Sequence, residues 1–479
     1  MIADPKPYPA MKDSGVPWLR QVPEHWQVSP AFAAYRPRQL KNTGLVEPTV
    51  LSLSYGRIIV KAPERLRGLV PESFETYQIV EPGNIIVRTT DLQNDQTSPR
   101  VGHARHRGII TAAYMCLETR PIVLNEFGYQ YLNAYDLLKI IYGFGSGLRQ
   151  NLDFSDIKRM PVLVPPRDEQ AAIVRFLDHA DRRIRRYIRA KQKLIKLLEE
   201  QKAAIIHRAV TRGLDRNVRL RPSGVEWLGE VPEHWEVWQI GHFAAVGNGS
   251  TPSRGNTAYW SGGTYPWLNS SSVNAGTIRS SDQFVTDAAL RECHLPRVPS
   301  GSVLVAITGQ GKTRGTAAVL LIEATINQHI AFITPRRQSK TVSPDYLRMF
   351  LSGAYSELRR MSDDSGSTKG ALTCEDLRHF RVLLPPADEQ REIVQRTQGA
   401  TAEVEAAHRL AESEISLLRE YRTRLIADVV TGKLDVREAA ARLPQEAEDL
   451  EPLDKTEVAG DAEENGTGDG DGVTEEAEA

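Results

Sequence analysis

Cysteine is scarce in this chain of 479 residues. Cys116, Cys293 and Cys374 stand far apart and form no CxxC pair. That argues against a disulfide framework and fits a reducing cytosol. No apolar run approaches the roughly 18 residues needed to span a bilayer. The first 30 residues lack the basic start and apolar core of a secretory signal, so no membrane association is expected. With 41% hydrophobic and 25% charged residues, the composition is that of a globular protein. The length suggests about three domains.

Recognisable chemistry is scarce too. AITGQGKT (Ala306–Thr313) nearly spells a phosphate-binding loop. Such a loop needs a helix directly after its Lys-Thr, so that backbone N–H groups point at the phosphates. Here RGTAAVLLIEATI follows, and Gly315 with its β-branched successors predicts a strand. FGSG (Phe144–Gly147) is a weak echo of a methyltransferase glycine loop, but neither double proline, in VPPR or LPPA, follows an Asn or Asp. HARH (His103–His106) has no further ligand cluster beside it and reads better as a basic loop with Arg100, Arg105 and Arg107. There is no paired-carboxylate nuclease motif and no nucleophile with an evident base. The chain reads as non-catalytic.

The net charge of -1 conceals an asymmetry. Between Pro444 and Ala479 there are 14 Asp or Glu and one Lys, a net of -13, which leaves +12 on the rest. The folded part is therefore basic, as a nucleic-acid binder would be. The acidic tail is too polar to fold and is expected to be disordered, most simply as a solubilising appendage.

What the chain has in quantity is repetition. SGVPWLRQVPEHWQV (Ser14–Val28) returns as SGVEWLGEVPEHWEV (Ser223–Val237), with 11 of 15 positions identical at an offset of 209. VLVPPRDEQAAIV (Val162–Val174) returns as VLLPPADEQREIV (Val382–Val394), and AVTRGLD (Ala209–Asp215) as VVTGKLD (Val429–Asp435), both at an offset of 220. A period above 200 residues means duplicated domains, not a solenoid. His25 and His234 sit inside the repeated phrase beside Pro and Trp, which points to packing or capping and not to catalysis.

Each PPxxEQ phrase begins a long helix. Proline suits a helix start, Asp168-Glu169 and Asp388-Glu389 put negative charge in the first turn, and Gly213 and Gly432 mark the stops. Steps of four and three trace a heptad seam through Ile173, Leu177, Ala180, Ile184, Tyr187, Lys191, Leu194, Leu198, Gln201 and Ile205. The second seam is Ile393, Thr397, Ala400, Val404, Ala407, Ala411, Glu414, Leu418, Tyr421 and Leu425. About 40 residues make a rod of roughly 60 Å. The first helix carries a net +6 over Arg167–Arg208 and the second -3 over Ala387–Val430, so pairing with each other is favoured over self-pairing. The plainer alternative is two amphipathic helices, each lying on its own globule. Between these elements, residues 26–165 and 236–385 mix short β-rich runs with helical pieces, and their middles share almost nothing.

The ordered set SGVxWLxxVPEHW, LVPPxxEQxxIV, a long helix and VTRGLD, run twice, resembles the specificity subunit of type I restriction-modification systems. The resemblance covers about residues 11–437. LSLSYG (Leu51–Gly56), RTTDLQND (Arg88–Asp95) and RGIITAAYM (Arg107–Met115) resemble one class of target-recognition domain in that family, and GNGSTPS (Gly247–Ser253) and TINQHI (Thr325–Ile330) another.

The resemblance implies an α+β chain with pseudo-two-fold symmetry. Two mixed α/β globules each read half of a bipartite double-stranded DNA target, and two long helices space them as an antiparallel coiled coil. It implies two adenine methyltransferase subunits and ATP-dependent restriction-translocase subunits as partners. S-adenosylmethionine, ATP and Mg would serve those partners, with no cofactor or metal held by this chain. The expected segments are 1–165 and 216–385 for recognition, 166–215 and 386–440 for the helices, and 441–479 for the tail. DNA-binding candidates are Arg88, Thr89, Asp91, Asn94, Arg100, Arg105 and Arg107 in the first globule. In the second they are Ser250, Thr251, Asn269, Ser270, Gln310, Lys312 and Arg314. These types hold phosphates or reach base edges. A free-standing DNA-binding protein and a coiled-coil adaptor remain the competing readings.

Overall fold

The computed structural model describes residues 5–62, 73–90, 92, 93, 95, 97–144, 151–309, 311–336, 342–363 and 370–444. The predicted acidic tail falls outside them from residue 445 on. The chain divides into two compact units, Met1–Arg189 with Glu414–Ala479, and Ala190–Ser413. The predicted helices are present as Arg167–Arg212 and Ala387–Val430, of 46 and 44 residues, and each begins in one unit and ends in the other.

In the first unit an antiparallel sheet runs in the order Tyr35–Pro37, Tyr114–Thr119, Ile85–Arg88, Val101–His103. Strand alternation feeds two cores. Ile85, Val87 and Leu117 pack with Phe127, Tyr131 and Tyr135 of the helix Asn125–Leu137, while Ile86 and Cys116 face Leu51, Val80 and Ile110. LSLSYG forms a hairpin, Leu51–Ser54 against Arg57–Val60. Its two-residue tip, Tyr55 at φ 47 and Gly56 at φ 74, has both residues left-handed, as a type I′ turn requires.

The second unit carries a mixed sheet in the order Ala244–Asn248, Ile330–Pro335, Val303–Ala306, Ala317–Leu320, Thr277–Ile278. A smaller sheet runs Gln283–Val285, Tyr265–Leu268, Thr325–Ile326. Helices Pro344–Gly353 and Tyr355–Asp363 cover this core from the side of Val303 and Val305. The residues after Lys312 pass through a turn into the strand Ala317–Leu320, so the loop opens no helix.

The long helices pack antiparallel. In the first unit Arg422 Nε donates to Asp181 Oδ1 at 2.5 Å. In the second unit Lys202 Nζ lies 2.8 Å from Glu405 Oε1, and His408 Nε2 lies 3.7 Å from Glu199 Oε1. Of these three pairs, Lys202–Glu405 sets a base of the net-basic helix against an acid of the net-acidic one, as the charge counts predict, while Arg422–Asp181 and His408–Glu199 run the other way. The seam needs one correction. Ile173, Leu177, Ala180 and Ile184 are buried, but Tyr187 is 53% exposed, Leu194 39% exposed, and Gln201 is exposed. Ile188, Ile195 and Lys202 are drawn in instead. On the second helix Ala400 and Tyr421 are exposed, and the neighbouring Thr401 and Arg422 take their places. The step of four from Ile184 to Ile188 is followed by a step of three to Lys191, which with Leu198 and Ile205 is half-buried at its predicted place.

The duplicated phrases meet at one duplicated node. In the first unit buried Trp26 donates its indole N–H to Glu169 Oε1 at 3.1 Å, and His25 Nε2 lies 2.8 Å from Oε2. In the second, Trp235 donates to Glu389 Oε1 at 3.1 Å and His234 lies 2.9 Å from Oε2. The following glutamine closes each helix start. Gln170 donates to the Pro165 carbonyl at 2.8 Å and accepts from Leu124 N at 2.8 Å. Gln390 donates to the Pro385 carbonyl at 2.9 Å and accepts from Ser343 N at 2.9 Å.

The helix ends complete the node. Gly432 (φ 75) lies so close that a Cβ would stand 2.3 Å from Pro23 and 3.0 Å from Trp26; at Gly213 (φ 71) it would stand 3.1 Å from Trp235. Each PEHW phrase thus clamps the start of one long helix and the stop of the other. In the first unit the chain also closes on itself, with Lys6 bridged to Asp435 and the Arg437 guanidinium 5.4 Å from the Tyr8 ring centre. Gly432→Ala is expected to cost about 1–3 kcal/mol, from the left-handed backbone and the crowding of Trp26, measured as a lower denaturation midpoint.

Candidate nucleic-acid interface

The first unit's candidates divide between interior and surface. Arg100 is fully buried. Its Nε donates to the Tyr142 hydroxyl at 2.9 Å, and its Nη1 donates to the carbonyls of Thr90 at 2.7 Å and Arg88 at 3.3 Å. The reading of Arg100 as a surface cation is corrected: Tyr142 from a distant segment and the nearby backbone carbonyls of Arg88, Thr90 and Asp95 enclose it. Thr89 is likewise buried, its hydroxyl donating to the Ala113 carbonyl at 3.0 Å. Arg88, at the end of its strand, is half-buried and ion-paired to Asp95. Arg105 and Arg107 are exposed. Asp91 and Asn94 lie outside the described residues.

Arg107 belongs to a chain of ion pairs. Its Nε is 3.0 Å from Glu47 and its Nη1 3.2 Å from Glu81, whose carboxylate is also 3.7 Å from Arg38; Glu118 holds Arg38 at 2.8 Å and Arg36 at 2.6 Å. Arg38, and after it Arg36, holds the Glu118 carboxyl below its usual range. Sequence reasoning missed these acids because they come from separate strands and loops. His103 stacks on Tyr129, ring centres 5.4 Å apart, and burial lowers its imidazole. Among the described residues no group of three or more His, Cys, Asp or Glu is gathered as a metal ion would need.

Burial works to raise the Asp95 carboxyl, but hydrogen bonds from Ser98 and the Arg88 guanidinium overcome it and hold the group well below the usual range. A depressed carboxyl stabilises the fold above its unfolded value and loses that contribution as pH falls. The Asp95 loop is therefore expected to weaken below about pH 4, and Asp95→Asn to lose that part of the acid dependence. Urea midpoints between pH 6 and 3 measure it.

In the second unit Arg314 is corrected in the same way as Arg100. It is 4% exposed, donating to the Gly370 carbonyl at 2.6 Å and pairing with Asp363. Lys312 is exposed on the same loop. The Tyr355 hydroxyl donates to its carbonyl at 2.9 Å, and Arg359 donates to the Gly311 carbonyl at 2.8 Å. Asn269 caps the short helix Ser270–Ala275, its Oδ1 accepting from Ser271 N at 3.1 Å, and Ser270 is half-buried beside it. Gln310 lies outside the described residues.

Ser250 Oγ donates to the Cys293 carbonyl at 3.2 Å, and exposed Thr251 donates to Gln328 Oε1 at 2.6 Å. This loop is held by an aromatic frame that sequence reasoning did not find. The Arg254 guanidinium stands 4.0 Å from the Trp260 ring centre and 5.0 Å from that of Trp267. The two indole N–H groups donate to the carbonyls of Ser253 and Ser250, at 3.0 and 3.3 Å.

With two such units and their shared helices in place, comparison with known proteins is informative. The family described as type I restriction modification DNA specificity domain matches residues 58–197 and 232–412. The chain belongs to this family. The two specificity-domain matches fall one in each half of the repeat, and each runs into a long helix. The specificity subunit of the type I restriction enzyme EcoR124I/EcoR124II of Escherichia coli is 22% identical over 282 residues, 57% of this chain and 62% of that protein. The type I restriction enzyme MjaIX specificity subunit of Methanocaldococcus jannaschii is 29% identical over 170 residues, 35% of this chain and 38% of that one. The chain thus spans less than two thirds of the length of these curated relatives. A solved chain from work on complex assembly and conformational transition of the type I R-M system has a TM-score of 0.62 at 16% identity, covering 86% of this chain and 99% of its own. It shares this chain's fold.

Proposed function

We propose that this chain is the non-catalytic DNA-specificity subunit of a type I restriction-modification enzyme. Each unit reads one half of a bipartite duplex target, and the paired helices set the unread spacer and dock two methyltransferase subunits. ATP-dependent restriction-translocase subunits join that assembly. S-adenosylmethionine, ATP and Mg act on those partners. The observation that carries the reading is the duplicated node: one scaffold built twice, with unlike polar loops on each copy. Duplex DNA has its own two-fold axes, so a pseudo-symmetric pair of readers suits two half-sites. The segmentation into 1–165, 166–215, 216–385, 386–440 and 441–479 belongs to this proposal.

Base-resolution mapping of adenine methylation, after co-expression with the methyltransferase chain, tests it. A bipartite asymmetric motif is expected; methylation without any motif would overturn the reading. A free-standing DNA binder would not co-purify with that chain, and a pure adaptor would bind duplex with no salt dependence. Inserting one heptad into each long helix at facing positions adds about 10 Å. The same mapping should then show a spacer changed by about 3 base pairs and unchanged half-sites.

A further inference from the structure

From the second unit we infer that Gln328 reads an adenine by its major-groove edge, with His329 and Thr251 as positioning residues. This rests on the proposal that the unit is a DNA-recognition domain. Three separated segments converge here: Thr251 from the GNGSTPS loop, Gln328 and His329 after the strand Thr325–Ile326, and Thr308 after the strand Val303–Ala306. Thr251 Oγ1 donates to Gln328 Oε1 at 2.6 Å, Gln328 Nε2 lies 3.1 Å from His329 Nε2, and His329 Nδ1 lies 2.7 Å from Thr308 Oγ1.

With the Gln328 amide oriented so that Oε1 faces Thr251, proton counting gives the directions. An amide nitrogen can only donate, so His329 Nε2 accepts. The imidazole proton therefore sits on Nδ1 and is given to Thr308. Turning the amide over would need Thr251 to accept, the imidazole proton to move to Nε2 and Thr308 to donate to Nδ1, so the amide's orientation is coupled to both hydroxyls and to the tautomer. One lone pair on Oε1 and one N–H on Nε2 remain unused in this network, on an exposed residue. An adenine offers the complement, the N6 donor beside the N7 acceptor.

The bland alternative is an ordinary surface hydrogen-bond chain, but the setting is more rigid than that would need. A Cβ on Gly249 would stand 1.7 Å from the Ile326 carbonyl oxygen, so the loop lies directly on the strand backbone. Asn327 is buried, its Oδ1 accepting from His329 N at 3.0 Å. The loop that follows Thr308 presents the exposed Lys312, a point charge suited to a phosphate.

Selection of duplexes from a randomised library by the full chain, with its methyltransferase subunits, tests this. Wild type is expected to require A·T at one position of the half-site read by the second unit. Gln328→Ala should flatten that position alone, by about 5- to 150-fold in relative affinity, which is what one bidentate contact supplies. Gln328→Glu, left with acceptors only, should turn the preference toward cytosine, whose N4 donates. His329→Ala should weaken the same position, and His329→Gln, which can restore an acceptor, should recover part of it. All variants should keep the wild-type melting midpoint. If Gln328→Ala retains the wild-type preference at every position, the inference is wrong. If wild type itself selects no sequence, the recognition reading fails first.

Discussion

Arg100→Ala is expected to destabilise the first unit by about 3–5 kcal/mol, the cost of breaking a buried charged network from one side. The guanidinium is fully buried, with the Tyr142 ring centre 5.2 Å from it, and it satisfies carbonyls of Arg88, Thr90 and Asp95. Its backbone N–H is taken by Asp136 Oδ2 at 2.6 Å. Alanine takes the guanidinium donors from those carbonyls, leaving Asp95 only the long contact from the Tyr142 hydroxyl at 3.4 Å among the described residues, and opens a cavity beside the strand Val101–His103. Arg100→Lys keeps the charge but not the planar fork, so it should recover only part of the loss. Hydrogen exchange localises the effect, which should fall on the amides of the sheet around Ile85–Arg88. A phosphate-binding arginine would behave differently. Its alanine variant would keep the denaturation midpoint and flatten the salt dependence of duplex binding by about one counterion.

Arg100 and Arg314 show where reading the sequence stops. Both stand among Gly, Thr and other basic residues, the composition of a phosphate-binding loop. What buries them comes from far away: Tyr142 for the one, Asp363 and Gly370 for the other. Arg107 is exposed as expected, yet it is engaged by Glu47 and Glu81 from other loops. Non-local pairing of this kind leaves no mark in a local motif. The helix starts were legible because proline, the acidic first turn and the glycine stop act within a few residues. The seam was legible at most layers, including Lys191, Leu198 and Ile205 on the first helix and Val404, Ala411 and Leu418 on the second, and missed by one residue at Tyr187, Leu194, Gln201, Ala400 and Tyr421, since a strict heptad accumulates error against 3.6 residues per turn. The repeated PEHW and PPxxEQ phrases were visible as repeats. That Trp26 grips Glu169 and Gly432 together was not, because the three are distant in sequence. Of the recognition loops, Thr251 was singled out from its motif, but its partner Gln328 needed the fold to bring two β-loops together.

The two copies of the node should not be equally strong, although their phrases are almost the same. Glu169 is 4% exposed and accepts from Trp26 and the Tyr8 hydroxyl, with His25 alongside; Glu389 is 27% exposed and, among the described residues, is met by Trp235 and His234 without a third partner. Tyr8 makes the difference, and at the offset of 209 its counterpart is Asn217. Burial and the neighbouring Glu169 push the Tyr8 phenol well above its usual range, so it remains a donor throughout the accessible pH range. Glu169→Ala strands two buried donors at once and is expected to cost about 3–5 kcal/mol. Glu389→Ala leaves its partners nearer to water and should cost about 1–2 kcal/mol. Tyr8→Phe should reduce the penalty of Glu169→Ala, with a coupling of about 1–3 kcal/mol in the double-mutant cycle, and should leave the penalty of Glu389→Ala unchanged. Denaturation of the three single variants and two doubles measures all of these terms. Equal losses at the two glutamates would mean that the Tyr8 contact contributes nothing, and that the node's strength lies in the Trp–Glu pair common to both copies.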